Sequence, residues 1–235
     1  MLKLIKKPML GVLSIVTFFL FSLFQGLFVN EAMEFGVPTS TILYTSLFYS
    51  MAILVVVALI FKDLIIDSYK DLKENHWEYF KTYLPYWFIA LFLMGASNLF
   101  IHTVIMGGFD VSEIASNEQS LRNVFSINPV AIYISAVIFA PIIEELVFRG
   151  SFFYMFKNKF LFLFFSGFTF GFIHVLGAET WQQFMFIIPY SIPGFIFAYA
   201  LYKSKNIFVP IGLHFIHNGV LMAIQLILLI TGVGI

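Results

Sequence analysis

Three groups of polar side chains interrupt stretches that are otherwise apolar, and their types are those of hydrolytic chemistry. The first lies in Pro141–Gly150, PIIEELVFRG, and contains Glu144, Glu145 and Arg149; the second is His174; the third is His214, His217 and Asn218. Splitting an amide requires a water, a base to take its proton, and donors for the oxyanion that forms. A carboxylate, imidazoles and a carboxamide can supply these functions. On an insertion scale, an Arg or an acid at the centre of a membrane helix costs roughly 2.5–3.5 kcal/mol, so such groups face protein or a wet cavity and mark function. Glu145 and Arg149 are four apart with the acid first, the favourable order for a pair on one helical face. Glu144 is turned about 100° from Glu145 and has no local partner, which makes it the candidate general base.

The elements that must position these residues are membrane helices. The chain of 235 residues is 60% hydrophobic and 11% charged, with 32 Phe and a mean hydropathy of +0.94; a soluble domain carries about 25% charged residues. With no cysteine, disulfide and thiolate chemistry are excluded. The expectation is an all-α, polytopic transmembrane bundle of about seven spans, near 9–29, 41–61, 85–107, 129–151, 160–178, 183–203 and 207–233. It forms one membrane domain over 1–235, with scaffold helices in 1–128 and a catalytic helix core in 129–233. The segment 61–84 mixes aromatic and aliphatic residues with lysines and acids, and is expected to lie as an amphipathic helix on the cytoplasmic surface. His76 within it is read as solvated, Gly95-Ala96-Ser97-Asn98 as packing, and His102 as a cap or interface residue.

Orientation follows from the lysines. Every lysine falls in a segment that is inside if the N-terminus is cytoplasmic, whereas the outer loops hold Arg122 and acids such as Asp110, Glu113, Glu118 and Glu179. The positive-inside rule then predicts N-inside and C-outside. Hairpin arithmetic places the chemistry at one depth: Glu144 lies about 13 residues before the turn at Lys157–Lys159 and His174 about 15 after it, so both stand roughly 20 Å from the turn. Pro141 removes a hydrogen bond from its helix, and the carbonyl so freed needs a partner. Pro189, Pro193 and Gly194 predict a bent or broken sixth helix lining a cavity.

In order and spacing, E-E-x-x-x-R at Glu144–Arg149, F-x-x-x-H at Phe170–His174 and H-x-x-x-N at His214–Asn218 resemble the three motifs of the CAAX protease and bacteriocin-processing family, which includes the type II CAAX prenyl proteases. The resemblance covers about 129–220, the last four helices. It implies an intramembrane endopeptidase in which Glu144 and His174 activate water, His214 and Asn218 supply the oxyanion site, and Glu145–Arg149 is a structural pair. Zinc held by Glu144, His174 and His214 is the alternative, since two histidines and a carboxylate make an acceptable shell; the chain lacks H-E-x-x-H, and metal-independent chemistry is preferred. The expected substrate is a small hydrophobic or lipidated peptide in contact with membrane lipid, with no nucleic-acid partner, at a bacterial cytoplasmic membrane and with a cytoplasmic approach to the site. Two other classes fit parts of the pattern: a proton-coupled transporter, which also uses buried Glu and His, and a non-catalytic scaffold or regulator of the same fold.

Overall fold

In the computed structural model, which describes residues 6–108, 125 and 127–231, the regular elements among the described residues are all helices, with no strand. Helix α1 is Lys7–Glu34, with Pro8 in its first turn, and α2 is Thr39–Ile60. Helix α3 is Lys62–Phe100 and continues as a wider π turn over Ile101–Ile105. Helix α4 is Pro129–Met155, α5 Lys159–Ile173, α6 Ile187–Ser204 and α7 Phe208–Thr231. A short helix, Trp181–Phe184, precedes α6. Among the described residues, six helical stretches are long and apolar enough to cross a membrane, and α5 is a shorter apolar helix. The outer loop acids Asp110, Glu113 and Glu118, with Arg122, lie outside the described residues, as do Lys3 and the last residues of the seventh expected span.

Three differences from the sequence reading have physical causes. The segment 61–84 is not a separate surface helix: it runs without a break into α3, with Pro85 inside the helix. Its polar face is tied down by a network around Asp71. Tyr79 donates to Asp71 Oδ2, and Asn206 Nδ2 donates to the same oxygen at 2.7 Å and to the Ser68 carbonyl at 2.8 Å. Asn206 Oδ1 in turn accepts from the Phe208 amide at 3.0 Å, capping α7. Second, α5 stops at Ile173, and at 1.5 Å per residue a helix of that length reaches only about 22 Å. Third, α6 carries Pro193 without breaking; the interruption comes before it, between the short helix and Ile187.

The lysine-bearing turns gather at one end of the bundle. Lys7 lies over the Tyr154 ring, Lys159 over Tyr199 and Tyr202, and Lys205 over Tyr202. At this end the helices approach closely. A side chain on Gly11 of α1 would sit 2.6 Å from the Ser151 carbonyl, and one on Gly150 would press into the Phe61 ring at 3.2 Å. Small residues let backbones meet where lipid offers no hydrophobic drive for association. The same device joins α5 to α6: a Cβ on Gly194 would lie 2.7 Å from the Gly167 carbonyl, and one on Gly171 would overlap Ser191 Oγ.

Candidate functional site

Helix α4 begins at Asn128, whose Oδ1 accepts from the Ala131 amide at 3.1 Å as expected of a cap. Along it, two wider π stretches, Ile134–Phe139 and Glu145–Gly150, flank Pro141. Single π turns of this kind recur at functional sites. In the first, the Ala140 amide donates to the Ser135 carbonyl; the next donor in that register would be residue 141, a proline, which has none. The Ala136 carbonyl accepts instead from Asn218 Nδ2 of α7 at 2.8 Å. The carbonyl released by Pro141 is thus satisfied by a motif residue, and the same bond fixes the Asn218 carboxamide.

In the second π stretch Glu145 and Arg149 are fully buried, with Arg149 Nε 3.0 Å from Glu145 Oε2. The guanidinium lies over the Phe170 ring, 4.1 Å from its centre, so an aromatic face covers the charge as well as the carboxylate. The other Glu145 oxygen, Oε1, accepts from His214 Nδ1 at 2.8 Å. This second partner was not foreseen: Glu145 links α4 to α7 and orients the His214 ring. Glu144 faces the other way. Its Oε2 is 4.0 Å from His214 Nε2, and its side chain is 19% exposed where that of Glu145 is sealed.

His174 caps α5, and its Nδ1 donates to the Phe170 carbonyl at 2.7 Å. A carbonyl only accepts, so in the neutral ring Nε2 carries the lone pair. The ring stacks on Tyr190 of α6 at 4.5 Å between centres. Phe170 touches both imidazoles, 4.7 Å from His174 and 5.6 Å from His214. Glu144, His174, His214 and Asn218 line one cavity of about 530 Å³, and His217, buried on α7, lines it too.

The candidate residues therefore divide: those four reach the cavity, whereas Glu145 and Arg149 lie behind its wall. Asn98, assigned to packing, lines the cavity with Ser135 and Gln225. His102 is buried against Phe186, in keeping with an interface role, and His76 is exposed. The backbone contacts of Gly167, Gly171 and Gly194 were also not anticipated, although the spacing of the first two, G-x-x-x-G, is a packing signal legible in the sequence. Among the described residues no three His, Asp or Glu side chains converge closely enough to hold one metal ion, so the set Glu144, His174 and His214 is not assembled as a zinc shell.

Residues 126–220 match the family model described as type II CAAX prenyl endopeptidase Rce1-like. YdiL of Bacillus subtilis, named as a candidate membrane peptidase, is 30% identical over 142 residues, 59% of this chain and 53% of that protein. An uncharacterized protein of Mycoplasma capricolum is 31% identical over 99 residues, 39% of this chain and 28% of its own length. The chain spans about half or less of the length of these curated relatives. No solved structure matches it. The matched segment, 95 of the 235 residues, contains all three motifs.

Proposed function

We propose that this protein is an intramembrane endopeptidase that hydrolyses a peptide bond in a small hydrophobic or lipidated peptide, in a bacterial cytoplasmic membrane and with its N-terminus on the cytoplasmic side. The observation that carries the reading is the opposed setting of the two adjacent glutamates: Glu145 is held between Arg149 and His214, and Glu144 is left facing a cavity shared with both histidine motifs. Glu144 Oε2 and His214 Nε2, 4.0 Å apart, are too distant for a direct hydrogen bond. One water placed about 2.8 Å from each would bridge them.

In this reading Glu144 takes a proton from the water as its oxygen attacks the substrate carbonyl carbon, and His174 Nε2 accepts the water's second hydrogen bond and fixes its direction. The oxyanion is met by the Asn218 N–H left over after the bond to Ala136 and by His214 Nε2. Because His214 Nδ1 is committed to Glu145, Nε2 donates only when the ring is cationic, and the adjoining carboxylate supplies the counter-charge. Arg149 and that imidazolium then balance Glu144 and Glu145, leaving the buried cluster neutral. Glu144 returns its proton to the amide nitrogen as the C–N bond breaks. Glu145 and Arg149 act as positioning residues.

The test compares the cellular peptides of the wild type with those of a Glu144→Gln strain. Peptides that accumulate uncut only in the variant support the reading and identify the substrate. Identical peptide pools, with Glu144→Gln retaining full cellular function, would leave a scaffold role instead. Chelation of the purified, active protein decides the metal question: retained cleavage supports the glutamate mechanism, and loss restored by stoichiometric zinc reverses it.

A further inference from the structure

The cavity is lopsided about Glu144. Along α4 its lining runs back through Ala140 and Ser135 to Ile132, and along α7 it runs from His214 forward through Gln225 to Leu228. Both directions lead away from the lysine-bearing turns, because α4 ends at that end and α7 begins there. Towards the lysines the cavity ends at Phe148, Phe162, Leu201 and Ile207, sealed at 0–1% exposure; a pocket of about 270 Å³ at the Lys157–Lys159 turn shares no lining residue with it. Ser166 Oγ adds a buried hydrogen bond across this region, to the Phe148 carbonyl at 3.1 Å. The early end of α5 contributes to the asymmetry, since among the described residues no regular helix follows Ile173 until the short one at Trp181–Phe184.

We infer that the substrate enters from the end of the bundle opposite the lysines, the extracytoplasmic side under the orientation proposed above, as an extended peptide laid along α7. This rests on the peptidase reading and names the approach and form of its substrate. Fourteen residues separate His214 from Leu228, a length of about 21 Å in a helix, which matches about six residues of extended chain. The occupant is peptide rather than a bare hydrocarbon chain, because Asn98, Ser135 and Gln225 stand along an otherwise apolar trough. Backbone amides need such partners away from water and a hydrocarbon does not. This proposal departs from the cytoplasmic approach expected from the sequence.

The chain contains no cysteine, so single-cysteine variants report position without background. Gln225→Cys and Leu228→Cys mark the trough, and Lys157→Cys and Lys203→Cys mark the lysine end, where both lysines are exposed. Each variant, checked for folding by its elution from size exclusion, is treated with a membrane-impermeant maleimide in right-side-out and in inverted vesicles. The expected result is labelling of the trough cysteines in right-side-out vesicles and of the lysine-end cysteines in inverted ones. An end-blocked apolar hexapeptide should slow trough labelling, whereas a hydrocarbon chain of similar length should not. Labelling of both sets from the same side, or trough cysteines that react only after denaturation, overturns the inference. So does protection by the hydrocarbon alone. None of these readouts uses cleavage: if the sidedness holds and no peptide accumulates in the Glu144→Gln strain, the trough stands and the peptidase reading falls; the reverse outcome removes only the trough.

Discussion

Glu144 and Glu145 are neighbours in the chain and stand in two different regions of the molecule. On the lysine side of the pair the last four helices close on one another, with Phe148, Phe162, Leu201 and Ile207 sealed by protein, and a separate pocket of about 270 Å³ at the lysine-bearing turn shares no lining residue with the cavity. On the other side the same helices part around the cavity. The solid half binds Glu145 and Arg149 into a framework; the hollow half leaves Glu144 facing the cavity. One residue of helical rotation separates a sealed, paired acid from one that faces the cavity. The consequence is that substitutions on the two sides should fail differently, in stability on one and in turnover on the other.

The largest expected effect tests the hollow side. Glu144→Gln should lower turnover by about 10²–10⁴-fold, the usual contribution of a positioned acid–base group, with no fall in the unfolding midpoint in detergent. A variant that unfolded early would instead assign Glu144 to the framework. Arg149→Met probes the solid side by stranding a buried carboxylate; breaking such a pair costs about 3–5 kcal/mol, measurable by denaturant titration. Replacing both members, as Glu145→Leu with Arg149→Leu, should recover much of that stability without recovering activity, because His214 loses the acceptor at its Nδ1. Stability and activity recovered together would show that Glu145 does not position His214.

Smaller effects sharpen the boundary. Gly171→Ala places a methyl group against Ser191 Oγ, and overpacking of this kind costs about 1–3 kcal/mol. Since this contact sets α5 against α6, the loss should appear as a lowered thermal midpoint together with a raised KM as the His174–Tyr190 stack shifts. Phe92→Ala lies on an outward face of α3, where the side chain is 72% exposed. It should change stability by no more than about 0.5 kcal/mol in the same assay.

Much of this was legible in the residues. Ionisable groups in apolar stretches are conspicuous because the bilayer penalises them, and the i,i+4 order of Glu145 and Arg149 announced their pairing. Hairpin arithmetic brought Glu144 and His174 to one depth, and both line the cavity. What escaped was set by contacts distant in sequence. That Glu145 has a second partner on α7, that Asn218 satisfies a carbonyl released by Pro141, and that Asn98 faces the cavity all depend on how helices rotate against one another.

The chain alone dictated a membrane bundle, the identity of its polar residues and their depth, because hydrophobic length and charge cost are local properties that add residue by residue. Which glutamate is locked and which is free, and towards which end the cavity opens, were decided by packing. Glycine contacts, π turns and an early helix end draw one half of the helices together and leave the other apart, and each arises only when helices remote in the chain come into contact.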